Sequence, residues 1–175
     1  SSTLKQVCST VISEGGYELR GLQQAVGTDI NTPRALTASG TYYPIASLRL
    51  KSTALDAIVI PTAISIMASG GNSNYAWRIA ASATTSGGTW SSAGADSAVE
   101  YNLSGVSTSG GRVVAQGYFS AANQSTNSVD ILKEALFKFQ LERNTFTSTP
   151  YEFSVLVAAN SNTGSAVFGA VDWEE

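Results

Sequence analysis

Apolar and polar residues alternate through residues 136–159, LFKFQLERNTFTSTPYEFSVLVAA. The alternation runs through residues 137–141 and, after a polar connection, through residues 153–157. A period of two places every second side chain on the same side of a pleated strand. The pattern therefore predicts two neighbouring antiparallel strands, each with one face packed on a core and one face in solvent.

Similar runs recur from residue 40 onward, with Gly-, Ser- and Asn-rich turns predicted between them, including residues 70–74 and 109–111. The further predicted strands are residues 42–51, 55–68, 75–80, 98–103, 113–119 and 166–173. Pro61 must bulge or divide its strand, because proline donates no ladder hydrogen bond. Many short strands without a long helix predict an all-β fold, an antiparallel β-sandwich or jelly roll.

The domain organisation follows from where this regular pattern begins. Residues 1–39 are predicted to form an N-terminal arm or attachment segment, and residues 40–175 the β-sandwich domain. Within the arm, residues 27–38 have few bulky apolar side chains and are interpreted as loop. Such an arm would pack on its own core or reach a neighbouring subunit.

Charge narrows the range of partners. Charged residues make up 13% of the 175-residue chain, about half the usual share of about 25%, and Ser and Thr fill about a quarter of positions. The net charge is −3 and the ten Lys and Arg residues are scattered, which argues against nucleic acid as a partner. No apolar run approaches the roughly 18 residues that span a membrane, so no membrane partner is predicted.

The chain contains no histidine and one cysteine, Cys8. This excludes Ser-His-Asp and Cys-His triads and most transition-metal sites. No spacing typical of a calcium loop is present. We therefore predict a protein that is not an enzyme, with no catalytic residue, no metal ligand and no cofactor, and with Cys8 a small buried residue.

One acidic pair leaves open the hypothesis that the protein is a glycosidase. Asp96 and Glu100 lie four positions apart, and a glycosidase that works without histidine needs two carboxylates about 5–10 Å apart. With thirteen acidic residues in the chain, such a spacing also arises by chance.

Aromatic and amide side chains outside the predicted core are the candidates for contacts. Trp77 and Trp173 lie in alternating strands and are predicted to fill the space between sheets. Trp90 stands beside a Gly-rich loop, and two adjacent tyrosines cannot both point inward from a regular strand. The candidate ligand or interface contacts are Trp90, Tyr42, Tyr43, Asn72 and Asn74.

Several segments between residue 40 and the end of the chain also carry a family resemblance. They are LRLK and LDAIV in residues 48–59, GADSAVEY at 94–101, FKFQLER at 137–143, PYEF at 150–153 and VDWEE at 171–175. In this order they resemble segments of tailed-bacteriophage virion proteins, the structural proteins associated with capsids and tails. The resemblance carries no catalytic or binding residue with it.

The resemblance implies a non-enzymatic structural component of a phage particle, located in the virion. The expected role is a capsid decoration or cement protein, or a tail- or fibre-associated subunit. The expected partners are the chain itself, as a homotrimer or other symmetric oligomer, and the major capsid protein or other virion proteins. Repeated symmetric contacts are what such a scaffold needs.

The alternative hypothesis is a carbohydrate-binding, lectin-like module of a tail fibre or adhesin, with a host-surface glycan as partner. Aromatic faces stack on the apolar face of sugar rings, and amide side chains supply hydrogen bonds. Trp90 and the loops at residues 70–74 and 86–92 would carry the binding in that case.

Overall fold

The computed structural model describes residues 21–69, 74–121, 139–144, 146–161 and 165–175. Strands account for most of these residues: β1 (Gln23–Gly27), β2 (Arg34–Leu36), β3 (Tyr43–Leu50), β4 (Ile60–Ser69), β5 (Asn74–Ser86), β6 (Ser91–Ser92), β7 (Val99–Asn102), β8 (Ser107–Ser120), β9 (Glu152–Ala159) and β10 (Ser165–Glu174). In these ranges no helix has the length and apolar character that crossing a membrane requires.

The strands form two antiparallel sheets packed face to face, which confirms the predicted all-β sandwich. In the smaller sheet, β10 pairs with β4 on one side and with β1 and β2 on the other. The larger sheet has the order β6-β7-β3-β9-β5-β8. The sheets approach closely where Gly169 of β10 meets Ile45 of β3, because a Cβ atom at Gly169 would lie only 2.5 Å from Cδ1 of Ile45.

The core between the sheets contains the largest fully buried side chains of the described residues. Trp173 is 1% exposed, which confirms its predicted core position, while Trp77 is half-buried and packs against the core. Pro61 lies beside a register shift between β4 and β10, opposite Asp172 and Trp173, so the predicted bulge is confirmed.

Strand β9 departs from the predicted pattern of one packed and one solvated face. All eight of its residues are buried, because it lies centrally between β3 and β5 and is covered on both faces. Phe139 and Leu141 are buried, but their segment is not a neighbouring strand of β9. The segment meets the residues just before β9 in a single antiparallel bridge between Arg143 and Pro150, and the amide of Leu141 donates to the carbonyl of Val59 at 2.9 Å.

The face of β9 that points away from the smaller sheet is covered by the ends of β5 and β8. At Ser82 the backbone has φ 57°, and the pairing of β5 with β9 shifts register at this bulge. Beyond the bulge, Thr85 lies over the face of the larger sheet that points away from the smaller one, called the outer face here. Its hydroxyl is 3.0 Å from that of Ser47 and 3.1 Å from that of Ser154.

The predicted turn at residues 109–111 is wrong, because these residues lie inside β8. Gly110 and Gly111 have φ values of 65° and 77°, a region that glycine enters without steric cost. Gly111 lies opposite the bulged residue Ser82, since Ala81 pairs with Arg112 and Ala83 with Gly110. Gly110 and Gly111, which were predicted to form a turn, therefore lie within a continuous strand and bend it.

The predicted N-terminal arm contributes strands to the smaller sheet. Residues 23–27 and 34–36 pair with β10 as β1 and β2, and β2 replaces part of the loop expected at residues 27–38. The short segment forms a strand because Leu36 is fully buried in the core. Residues 1–20, with Cys8, lie outside the described residues, and the domain boundary at residue 39 stays a prediction.

The bulge gives a matched pair of substitutions. Gly110→Ala places its new Cβ in open space, whereas Gly111→Ala places it 2.7 Å from the carbonyl oxygen of Ala81. Both changes carry the left-handed backbone penalty of about 1–2 kcal/mol, and Gly111→Ala adds a backbone clash of about 1–3 kcal/mol. Urea unfolding should show the larger loss of stability for Gly111→Ala. Equal losses would contradict the tight bulge.

Candidate functional site

A depression opens on the outer face of the larger sheet and is called the tyrosine depression here. Its volume is about 350 Å³. Its side walls and floor come from β5, β8 and β9, from the residue after β9 and from residues that precede β3. The lining residues are Gly40, Tyr42, Asn74, Tyr75, Ala76, Tyr118, Ala158, Ala159 and Asn160.

Small side chains at the centre of three paired strands create this depression. Ala76 of β5 pairs with Tyr118 of β8 on one side and with Ala158 of β9 on the other. The two alanines leave the floor low, while the tyrosines on either side rise from it. Tyr118 is 84% exposed, and Tyr42 packs against the small buried cluster that contains Leu156.

Two asparagines form the rim at the ends of β5 and β9. The amide N–H of Asn160 donates to the carbonyl of Asn74 at 2.8 Å, which ties the two strand ends together. The hydroxyl of Ser39 donates to the carbonyl of Asn160, and the amide of Gly40 donates to the carbonyl of Ala159 at 2.8 Å. The backbone of the rim is thus held in place, and both asparagine side chains are solvent-exposed.

An arginine positions one wall of the depression. The guanidinium carbon of Arg78 lies 4.1 Å from the centroid of the Tyr42 ring, a cation–π geometry. Arg78 belongs to β5 and pairs with Leu156 of β9, so the stack spans the middle of the sheet. The Tyr42 ring is therefore held upright by a neighbour outside the depression.

Of the five predicted contacts, the structure brings Tyr42 and Asn74 together here. Asn72 lies outside the described residues. The other lining residues that project from the surface, Tyr118 and Asn160, were missed by sequence reasoning. The alternation along β8 could have identified Tyr118. Phe119 points inward and stacks on Tyr75 with ring centroids 5.0 Å apart, so the preceding residue, Tyr118, points to the outer face.

Trp90 occupies a different place and is half-buried. The guanidinium carbon of Arg49 lies 4.1 Å from its ring centroid, and Nη2 of the same arginine is 2.9 Å from Oε2 of Glu100. One face of the indole is therefore covered by an ion-paired arginine. Trp90 is not among the residues that line the tyrosine depression.

Tyr43 connects the two sheets. Its hydroxyl is 2.9 Å from Oγ1 of Thr37, and its ring lies 5.4 Å from the guanidinium carbon of Arg34 in β2. It is half-buried and packs against the core. Tyr43 thus turns away from the face that carries Tyr42, as expected for adjacent residues near the start of a strand.

A polar cleft of about 510 Å³ lies beside the bulge and is lined by hydroxyl and charged groups. Among them, Glu152 is 9% exposed, and its carboxylate accepts a hydrogen bond from the backbone amide of Thr85. Glu100 is paired with Arg49. Both acids of the cleft thus hold neighbouring strands in place.

The acidic pair singled out in the sequence is divided between different surroundings. Asp96 is exposed in the loop before β7, whereas Glu100 lies in β7 and pairs with Arg49. Within the described part of the chain, no group of three His, Cys, Asp or Glu side chains is placed to hold a metal ion.

Comparison with protein-family models, with curated proteins and with solved structures found no match to this chain. The resemblance to phage virion proteins therefore stays a prediction from the sequence.

The coupling free energy between Arg49 and Trp90 can be measured by a double-mutant cycle. Arg49→Met removes the charge but keeps much of the stem, and Trp90→Leu removes the aromatic face. We expect a coupling free energy of about 0.5–1 kcal/mol between the two positions from urea unfolding. Additive losses would show that the indole face is not engaged by Arg49. Arg78→Met with Trp90→Leu is the control, because Arg78 stacks on Tyr42 instead.

Proposed function

We propose that this protein is a non-enzymatic structural component of a bacteriophage particle, a capsid decoration or cement subunit or another virion-surface subunit. It assembles as a symmetric oligomer. The observation that carries the proposal is the long exposed edge of the larger sheet, strand β8. The family resemblance in the sequence supports the proposed role in a phage particle, and the exposed edge of β8 supports the proposed assembly into a symmetric oligomer.

Strand β8 has the features of an edge that accepts another strand. It is 14 residues long and pairs with β5 along its length, and the described strands place no neighbour on its other side. Val113 is 52% exposed and Tyr118 is 84% exposed, and Val106 just before the strand is 58% exposed. Unpaired backbone groups and exposed apolar side chains together favour pairing with another chain.

The composition of β8 favours a second copy of this chain as the partner. Its sequence, STSGGRVVAQGYFS, contains neither Lys nor Pro, the residues that commonly protect an edge from pairing. Arg112 is its sole charge, and Nη2 of that side chain lies 3.3 Å from Oε1 of Glu142. Two such strands approach each other without like-charge repulsion.

Pairing of β8 with β8 is antiparallel and isologous, because a two-fold axis relates identical strands. The axis stands perpendicular to the sheet, and the strands pair through the part of β8 that follows the bend at Gly111, so the two larger sheets continue into one another. A closed contact of this kind lets a subunit repeat on a particle surface without forming open fibres. The low share of charged residues, 13% of the chain, suits a subunit packed among many copies.

The assembly is tested by Val113→Lys, which adds a charge to the middle of the exposed edge. The wild-type chain should have a molar mass that is a multiple of the 18.2 kDa subunit in light scattering after size exclusion, and the variant should be a monomer with unchanged circular dichroism. Ile58→Lys is the matched control, because Ile58 is 58% exposed and lies outside β8. A wild-type monomer, or equal effects of both variants, would contradict the proposed interface.

The particle role is tested separately by searching purified phage particles for this chain with mass spectrometry and electron cryomicroscopy. We expect symmetric density for the sandwich on the particle, at a stoichiometry set by the particle symmetry. Absence of the chain from purified particles that contain the other structural proteins would overturn the particle role, whatever its oligomeric state.

A further inference from the structure

We propose that the tyrosine depression binds an uncharged saccharide, with one pyranose ring seated on the alanine floor against Tyr118. This binding site goes beyond the structural role and does not depend on it. It differs from the site expected from the sequence at Trp90, because one face of that indole is covered by Arg49.

The shape of the depression fits a flat ring with an apolar face. Tyr118, 84% exposed, presents its ring to solvent, and the floor beside it consists of Ala76 and Ala158. The volume of about 350 Å³ lies at the lower end of the range for ligand pockets, which begins at about 300 Å³. The space therefore suits one or two sugar rings rather than a large ligand.

The polar groups around the depression fit hydroxyl groups. The side-chain amides of Asn74 and Asn160 have no hydrogen-bond partner among the described residues, and each offers a carbonyl acceptor and an NH₂ donor. Neighbouring hydroxyls of a sugar present the same pair of functions. The hydroxyl of Tyr118 likewise has no partner within the described part of the chain.

The uncharged lining of the tyrosine depression indicates which class of saccharide it would bind. No Asp, Glu, Lys or Arg is among the lining residues, so the depression offers nothing to neutralise a sulfated, phosphorylated or carboxylated sugar. The nearby Arg78 is engaged by the face of the Tyr42 ring at 4.1 Å and does not line the space. A neutral hexose or N-acetylhexosamine is therefore the expected ligand.

Preorganisation is the other argument for a binding site. The Tyr42 wall is held by Arg78, and the rim backbone is held by the hydrogen bond between Asn160 and Asn74. A ligand then immobilises few side chains as it binds, which lowers the entropic cost of association. Tyrosine also loses little conformational entropy for the contact area that it provides.

The experiment screens the full chain on an array of neutral mono- and oligosaccharides, including bacterial surface glycans, with a proline-rich peptide on the same surface. Wild-type protein should bind a subset of the neutral glycans. Tyr118→Ala should weaken that binding by at least about tenfold, the effect of losing about 1.4 kcal/mol of contact. Tyr118→Phe keeps the ring and should keep most of the affinity.

Filling the floor provides an independent test that removes no hydrogen-bonding group. Ala76→Leu places a larger side chain between the tyrosines and should abolish binding. Ala25→Leu is its control, since Ala25 is an exposed alanine of β1 in the smaller sheet. Tyr118→Ala keeps the test decisive if Ala76→Leu fails to fold, because the Tyr118 side chain is mostly in solvent.

The proposal is overturned if wild-type protein binds no neutral glycan on the array, or if Tyr118→Ala and Ala76→Leu bind as the wild type does. Binding of the proline-rich peptide without any glycan would assign the depression to a peptide and would equally overturn it. A monomeric Val113→Lys variant that still binds the glycan would show that the site works without assembly, so the two proposals fail separately.

Discussion

The hydroxyl cluster of Ser47, Thr85 and Ser154 is the interaction on which the rest of this sandwich depends. All three side chains are buried, and each hydroxyl lies within 2.9–3.1 Å of the other two. Buried hydroxyls without partners would be costly, and within this cluster each has two. The cluster forms only because the bulge at Ser82 and Gly111 turns the ends of β5 and β8 over the outer face of the larger sheet. That covering makes β9 a strand buried on both sides.

The ends of β5 and β8 cover one end of the outer face of the larger sheet and leave its other end exposed. Toward the cluster, Glu152 accepts a hydrogen bond from the amide of Thr85, and the side-chain amide of Asn102 donates to the carbonyl of Gly87 at 3.0 Å. At the opposite end, beyond Leu156, no described strand folds back, and the tyrosine depression lies above Ala76 and Ala158, the second of which is 4% exposed. The same bend that completes the core therefore separates a covered, structural half of the sheet from an accessible half.

The sequence predicted the fold class because a half-buried strand leaves a period of two in its residues. β10 follows that pattern closely, with every second residue buried. The pattern failed at β9, where Ser154 and Glu152 have polar side chains that indicate solvent, although both are buried by partners more than 60 residues away in the chain. Local sequence cannot show a distant hydrogen-bond partner. For the same reason Tyr42 and Asn74 were identified singly as candidates, whereas the depression that unites them with Tyr118 and Asn160 required the strand register.

Strand β8 carries both proposed surfaces, and their geometry makes them compatible. Pairing at the edge uses backbone groups in the plane of the sheet, whereas Tyr118 projects from its outer face beside Ala76. A two-fold axis perpendicular to the sheet leaves the outer faces of both subunits on the same side. Two depressions would then face one glycan-bearing surface together. Because the second contact becomes intramolecular once the first has formed, weak binding at each depression would give a much stronger attachment of the pair.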